Sequence, residues 1–98
     1  MTGHSLPKQQ AFATGTQGTT LVLMVCAGWL WAGVYASPHS ITPIEVSATT
    51  ARRASVRGRH LHVGAGRFPL SQKSLQAARR WLDRSGVRVR DANPKETA

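Results

Sequence analysis

Residues 21–36 read LVLMVCAGWLWAGVYA, sixteen consecutive positions without a charge in a chain whose other segments are polar, basic or turn-rich. The run separates a twenty-residue N-terminal tail, in which Lys8 is the one basic residue, from a C-terminal part holding twelve of the thirteen Lys and Arg residues. An uninterrupted apolar stretch of this kind predicts a membrane anchor or the hydrophobic region of a signal peptide. At about 1.5 Å per residue a helix of this length reaches about 24 Å, short of a hydrocarbon core of about 30 Å. Val34-Tyr35-Ala36 before Ser37 offers small side chains for cleavage, whereas Trp29, Trp31 and Tyr35 gather at one end as membrane-interface residues do.

The expected architecture is a single N-terminal hydrophobic helix followed by a small α+β, βαβ-like or partly disordered basic segment. Anchoring is favoured over cleavage, which would instead release a secreted or periplasmic protein; a buried helix of a soluble fold is the third reading. The stretch 37–51 has no basic residue and one acidic one, Glu45, which favours export of the C-terminal part across a bacterial-type inner membrane. Cys26, the only cysteine, lies in the apolar run and reads as a buried bystander. It excludes an internal disulfide and a cysteine-based zinc site.

Residues 37–55, SPHSITPIEVSATTARRAS, read as a Ser/Thr/Pro-rich linker, with a short strand conceivable at Ile44-Glu45-Val46. Residues 56–91 carry the βαβ-like pattern, and 92–98 form a polar tail. Arg59-His60-Leu61-His62-Val63 alternates as a half-buried strand does, and Gly64-Ala65-Gly66 ends it in a turn rather than in half of a dinucleotide-binding fingerprint. Ser71 suits the N-cap of a helix over QKSLQAARRWLDRS, with Leu75, Ala77, Ala78, Trp81 and Leu82 on one arc, and Gly86 stops it. Val87-Arg88-Val89-Arg90 alternates again, and the distance from Val63 to Val87 permits a crossover that sets these two strands parallel. The strand, helix and Ser85-Gly86-Val87 turn resemble small periplasmic βαβ modules of envelope secretion machinery, with no motif that assigns a residue a role. A unit this small is expected to need a protein partner, self-association or a membrane surface to stay folded.

The formal charge of +9 predicts anionic partners: lipid headgroups, nucleic acid, an acidic protein or an anionic envelope polymer. Lys73, Arg80 and Arg84 line the polar side of the helix, and Arg80 and Arg84 are a like-charge i, i+4 pair that an anion would relieve. Arg52 and Arg53, with Arg57 and Arg59, extend that character into the linker. These are the candidate anion-binding residues. His60 and His62 share a strand face, but two imidazoles do not make a metal site, and His39 and His4 lie in linker and tail. Arg52-Arg53-Ala54-Ser55 matches a short basophilic kinase pattern, which chance supplies often in an Arg-rich chain.

No nucleophile, base and orienting group assemble, and the four carboxylates are scattered. No enzyme activity, cofactor, metal or small-molecule substrate is expected. The leading functional expectation is a small membrane-anchored accessory protein whose exported basic segment docks on a cell-envelope assembly. The alternatives are a secreted basic protein that binds an anionic polymer or partner, and a cytoplasmic-facing basic tail that binds nucleic acid or anionic lipid.

Overall fold

The computed structural model describes residues 8–91, and in it the apolar run is a β-hairpin. Strands β2 (Thr20–Cys26) and β3 (Trp29–Tyr35) pair antiparallel, from Thr20 opposite Tyr35 to Cys26 opposite Trp29. Ala27 and Gly28 make the two-residue turn, and Gly28 stands at φ +80°. Type II turns need that sign at their second central position, and glycine accepts it without strain. Leu21, Leu23, Leu30 and Ala32 point to one face and are sealed from solvent. Val22, Met24, Trp31 and Tyr35 alternate with them and line the other face, partly exposed.

This overturns the expected N-terminal hydrophobic helix. Among the described residues no helix is long and apolar enough to cross a membrane. The expectations of a transmembrane anchor and a membrane location fall with it. The supposed cleavage site, between Ala36 and Ser37, lies just past the end of β3. The physical reason is that a strand buried on one face and apolar on the other shows no period of two, so its run looks like a membrane segment. Cys26 is exposed beside the turn rather than buried.

Two four-stranded sheets build the fold. The first is an antiparallel meander of β1 (Lys8–Ala13), β2, β3 and β4 (Glu45–Thr49) in that order. The second holds β5 (Arg53–Arg57), β6 (His60–Val63), β7 (Gly66–Pro69) and β8 (Arg88–Asp91), ordered β7-β6-β5-β8. Helix α1 (Gln72–Arg84) runs between β7 and β8. The segment read as a linker therefore supplies β4 and the start of β5.

The βαβ-like expectation is also corrected. The last strand does run parallel, but to β5, with Arg53 opposite Arg88 and Ser55 opposite Arg90. Tight turns give β6 both its neighbours, with Gly58 at φ +60° before it and Gly64 at φ +57° after it. No edge of β6 is left for β8, which takes the free edge of β5. Pro69, which cannot donate to a ladder, lies on the edge strand β7 where sheets tolerate it.

One core joins the two sheets and the helix. Leu21, Leu23, Leu30 and Ala32 from the first sheet meet Leu61, Val63 and Phe68 from the second, and Leu75, Ala78 and Leu82 close it from α1. The apolar surface that the C-terminal segment lacks on its own thus comes from the same chain. β3 and β4 lie against β6 and β7, while α1 sits between β1 and β8. Phe12 of β1 meets Trp81 edge to face at 6.3 Å, and Arg79 pairs bidentately with Asp91 of β8 at 2.7 and 2.9 Å. Ser71 caps the helix by accepting from the Ser74 amide at 3.2 Å. At the other end the Gly86 and Val87 amides donate to the Asp83 and Leu82 carbonyls, a Schellman motif with Gly86 at φ +84°.

Where the sheets converge, a side chain of one is bonded to the backbone of the other. The Ser47 hydroxyl of β4 donates to the Val63 carbonyl at 2.7 Å and accepts from the Gly66 amide at 3.1 Å. The contact requires glycine, since a Cβ on Gly66 would stand 2.6 Å from the Ser47 Cβ and 2.7 Å from the ring of buried Phe68. Gly66→Ala is expected to destabilise the protein by about 1–3 kcal/mol through overpacking, and Ser47→Ala by about 1–2 kcal/mol through two lost bonds. Because both changes open the same junction, the double variant should cost less than the sum, which denaturant unfolding measures. Leu23→Ala, at a fully buried position, should cost about 2–5 kcal/mol, whereas the same substitution in an exposed leader would leave unfolding unchanged.

Candidate anion-binding face

The alternation that buries Ala54, Val56, Leu61, Val63 and Phe68 turns their neighbours outward. On that outer face stand Arg53, Ser55 and Arg57 of β5, His60 and His62 of β6, Arg67 of β7, and Arg88 and Arg90 of β8. Register sets them in rows across the strands. Arg67, His62, Ser55 and Arg90 form one row, His60 and Arg57 the next, and Arg53 and Arg88 a third. Alternate residues on a strand repeat at about 6.7 Å and strands lie about 4.8 Å apart, so the five arginines form a lattice of forks on that scale. All five are exposed.

Among the described residues no carboxylate belongs to this face. Asp91, the one acidic residue on β8, lies in register with inward-facing Val56 and is held by Arg79 of the helix. Arg53 and Arg88 are direct cross-strand partners, a like-charge pair that costs about 0.2–1 kcal/mol in water. Among the described residues the sheet holds this charge without an internal counterion.

A groove runs along the face beside β5 and β8, lined by Arg53, Ser55, His62, Gly64, Arg88 and Arg90, with Thr49 and Ala51 also on its wall. A shallower depression adjoins it between Arg52, Arg53, Gly86 and Arg88. His62 lies at the centre of the lattice. Its Nε2 is shut off from solvent and has no hydrogen-bond partner among the described residues. Burial holds its imidazole below the ordinary value of 6.5, and the positive charges of Arg57 and Arg67, with His60, push it the same way.

The structure separates the residues singled out in the sequence. Arg52 and Arg53 flank the groove. Lys73, Arg80 and Arg84 are exposed on α1, which packs on the opposite, core-facing side of the second sheet, so they do not join the lattice. Asp83 also lies on the exposed side of that helix. Arg57, Arg67, Arg88 and Arg90 complete the face. Their alternation with apolar neighbours was the available signal, but only the pairing of β8 with β5 brings them together. His60 and His62 do share a face, and among the described residues no group of three or more His, Cys, Asp or Glu is placed to hold a metal. His4 lies outside the described residues.

Trp29, Trp31 and Tyr35, read as membrane-interface residues, instead alternate along the outer face of β3. The Trp31 indole lies over Gly33, where a Cβ would come within 2.5 Å of the ring, and it meets Tyr35 at 6.4 Å. That face and its loop also leave Trp29 at 53% and Ile41 at 94% exposure. The chain matches no protein-family model, no curated protein and no solved structure.

Proposed function

We propose that the protein is a non-enzymatic binding module that holds the phosphate backbone of nucleic acid on the outer face of its second sheet. The observation that carries this reading is the lattice of Arg53, Arg57, Arg67, Arg88 and Arg90 on one face that has no carboxylate among the described residues. Guanidinium forks suit phosphate oxygens bidentately, and the repulsion between Arg53 and Arg88 is relieved when an anion lies between them. The face has no Phe, Tyr or Trp on which bases could stack. Binding is then dominated by charge, largely indifferent to sequence and steeply dependent on salt.

The helix face is the competing site, and two features favour the sheet over it. Asp83 interrupts the charge on α1, and Arg79 is already committed to Asp91. Fluorescence anisotropy with a labelled single-stranded oligonucleotide separates the two sites. Contact with about four phosphates predicts a log–log salt slope of about −3, at about −0.7 per phosphate on a single strand. The triple variant Arg53→Gln/Arg88→Gln/Arg90→Gln should flatten the slope by about 2, while Lys73→Gln/Arg80→Gln/Arg84→Gln, with the same loss of charge, should leave it nearly intact. Equal weakening by both triples, or no binding at about 50 mM salt, contradicts the proposal. Equal affinity for heparin, which carries charge without bases or ribose, would make the ligand an anionic polymer in general.

A further inference from the structure

We propose that the groove beside β5 seats one phosphate group of the bound strand against His62 and Ser55, and that its occupancy puts a proton on His62, making the module bind more tightly as pH falls. This rests on the nucleic-acid reading of the same face and adds to it a subsite and a regulator.

The His62 Nε2 is buried without a partner, and a buried polar atom left unsatisfied is a standing cost that a ligand can remove. Among the described residues the charged groups facing it are all cationic: Arg57 of β5, Arg67 of β7 and, one strand beyond Ser55, Arg90 of β8. On its own strand the neighbour is His60. Thr49 and Ala51, also on the groove wall, bring no charge, and among the described residues no carboxylate lines it. With a proton on that nitrogen, the partner it lacks is an acceptor with negative charge. A phosphate oxygen supplies both, accepting from the imidazole N–H and from the Ser55 hydroxyl while Arg53 and Arg90 hold its remaining oxygens.

In the free protein, burial and the surrounding arginines disfavour the imidazolium. As pH falls below about 6.5 the unfolded chain takes up the proton before the folded one does, so His62 lowers the stability of the free protein on acidification. A phosphate in the groove reverses the balance, because the imidazolium then has a counter-charge. Binding raises the affinity of His62 for its proton, and a proton on His62 raises the affinity for phosphate by the same factor.

The experiment measures binding of oligothymidylate, whose bases and phosphodiesters do not titrate in the imidazole range, at constant ionic strength. A bound-state upward move of about one pH unit gives about tenfold tighter binding on going from about pH 8 to about pH 5.5. His62→Gln should lose most of that gain, whereas His60→Gln should keep it. Two measurements on the unaltered protein hold even if the variants fold poorly. Calorimetry in buffers of different ionisation enthalpy should show proton uptake on binding, and the His62 ring resonances should titrate at higher pH in the complex than in the free protein. Salt-dependent binding without a pH effect, or an unchanged His62 titration, overturns the subsite and leaves the nucleic-acid reading standing. Absence of binding at every pH removes that reading itself.

Discussion

Burial of the β2–β3 hairpin against the inner face of the second sheet is the constraint on which everything else depends. Leu21, Leu23 and Leu30 are covered by Leu61, Val63 and Phe68 and by the helix residues Leu75, Ala78 and Leu82. Neither half can close a core alone, because each four-stranded sheet has one apolar inner face that needs an opposite layer. The Ser47 junction draws the sheets together at one side, and α1, bound to β1 through Phe12–Trp81 and to β8 through Arg79–Asp91, fills the gap at the other. With both sides closed, β8 stays on the edge of β5, and that pairing assembles the arginine lattice.

The two outer faces differ in character. Behind the first sheet, alternate residues of β2 and β3 are Val22, Met24, Trp31 and Tyr35 with no charge among them. Behind the second, alternate residues are Arg and His with one serine on β5 and the edge residue Pro69. The excess of basic residues is therefore not spread evenly over the surface. A backbone whose side chains repeat every two residues sorts it, so that an anion approaching the second sheet meets several guanidinium groups within one contact area.

The C-terminal half of the fold was more legible than the N-terminal half. The N-cap at Ser71, the apolar arc through Leu75, Ala78 and Leu82, and the stop at Gly86 are local signals, and α1 occupies the span they mark, although Ala77 on that arc is exposed. His60-Leu61-His62-Val63 showed its strand because one face is polar and the other apolar. The hairpin hid its strands because both its faces are apolar and its turn, Ala27-Gly28, carries no Asn or Asp to mark it. The candidate site was legible in its residue types and hidden in its arrangement. Arg53 and Arg88 lie far apart in sequence, and their adjacency follows from a parallel pairing that local pattern does not encode. Lys73, Arg80 and Arg84 stood out because helical spacing is easy to read, yet they face away from the lattice.

The most direct test of the account is an amide chemical-shift map of the protein titrated with a single-stranded oligonucleotide. The account predicts that shifts concentrate on β5, β6 and β8 and on the turn at Gly64, centred on Ser55, His62 and Arg90, with α1 residues 73–84 and the β2–β3 hairpin little changed. Shifts centred on the exposed side of α1, or on Trp31 and Tyr35, would contradict it.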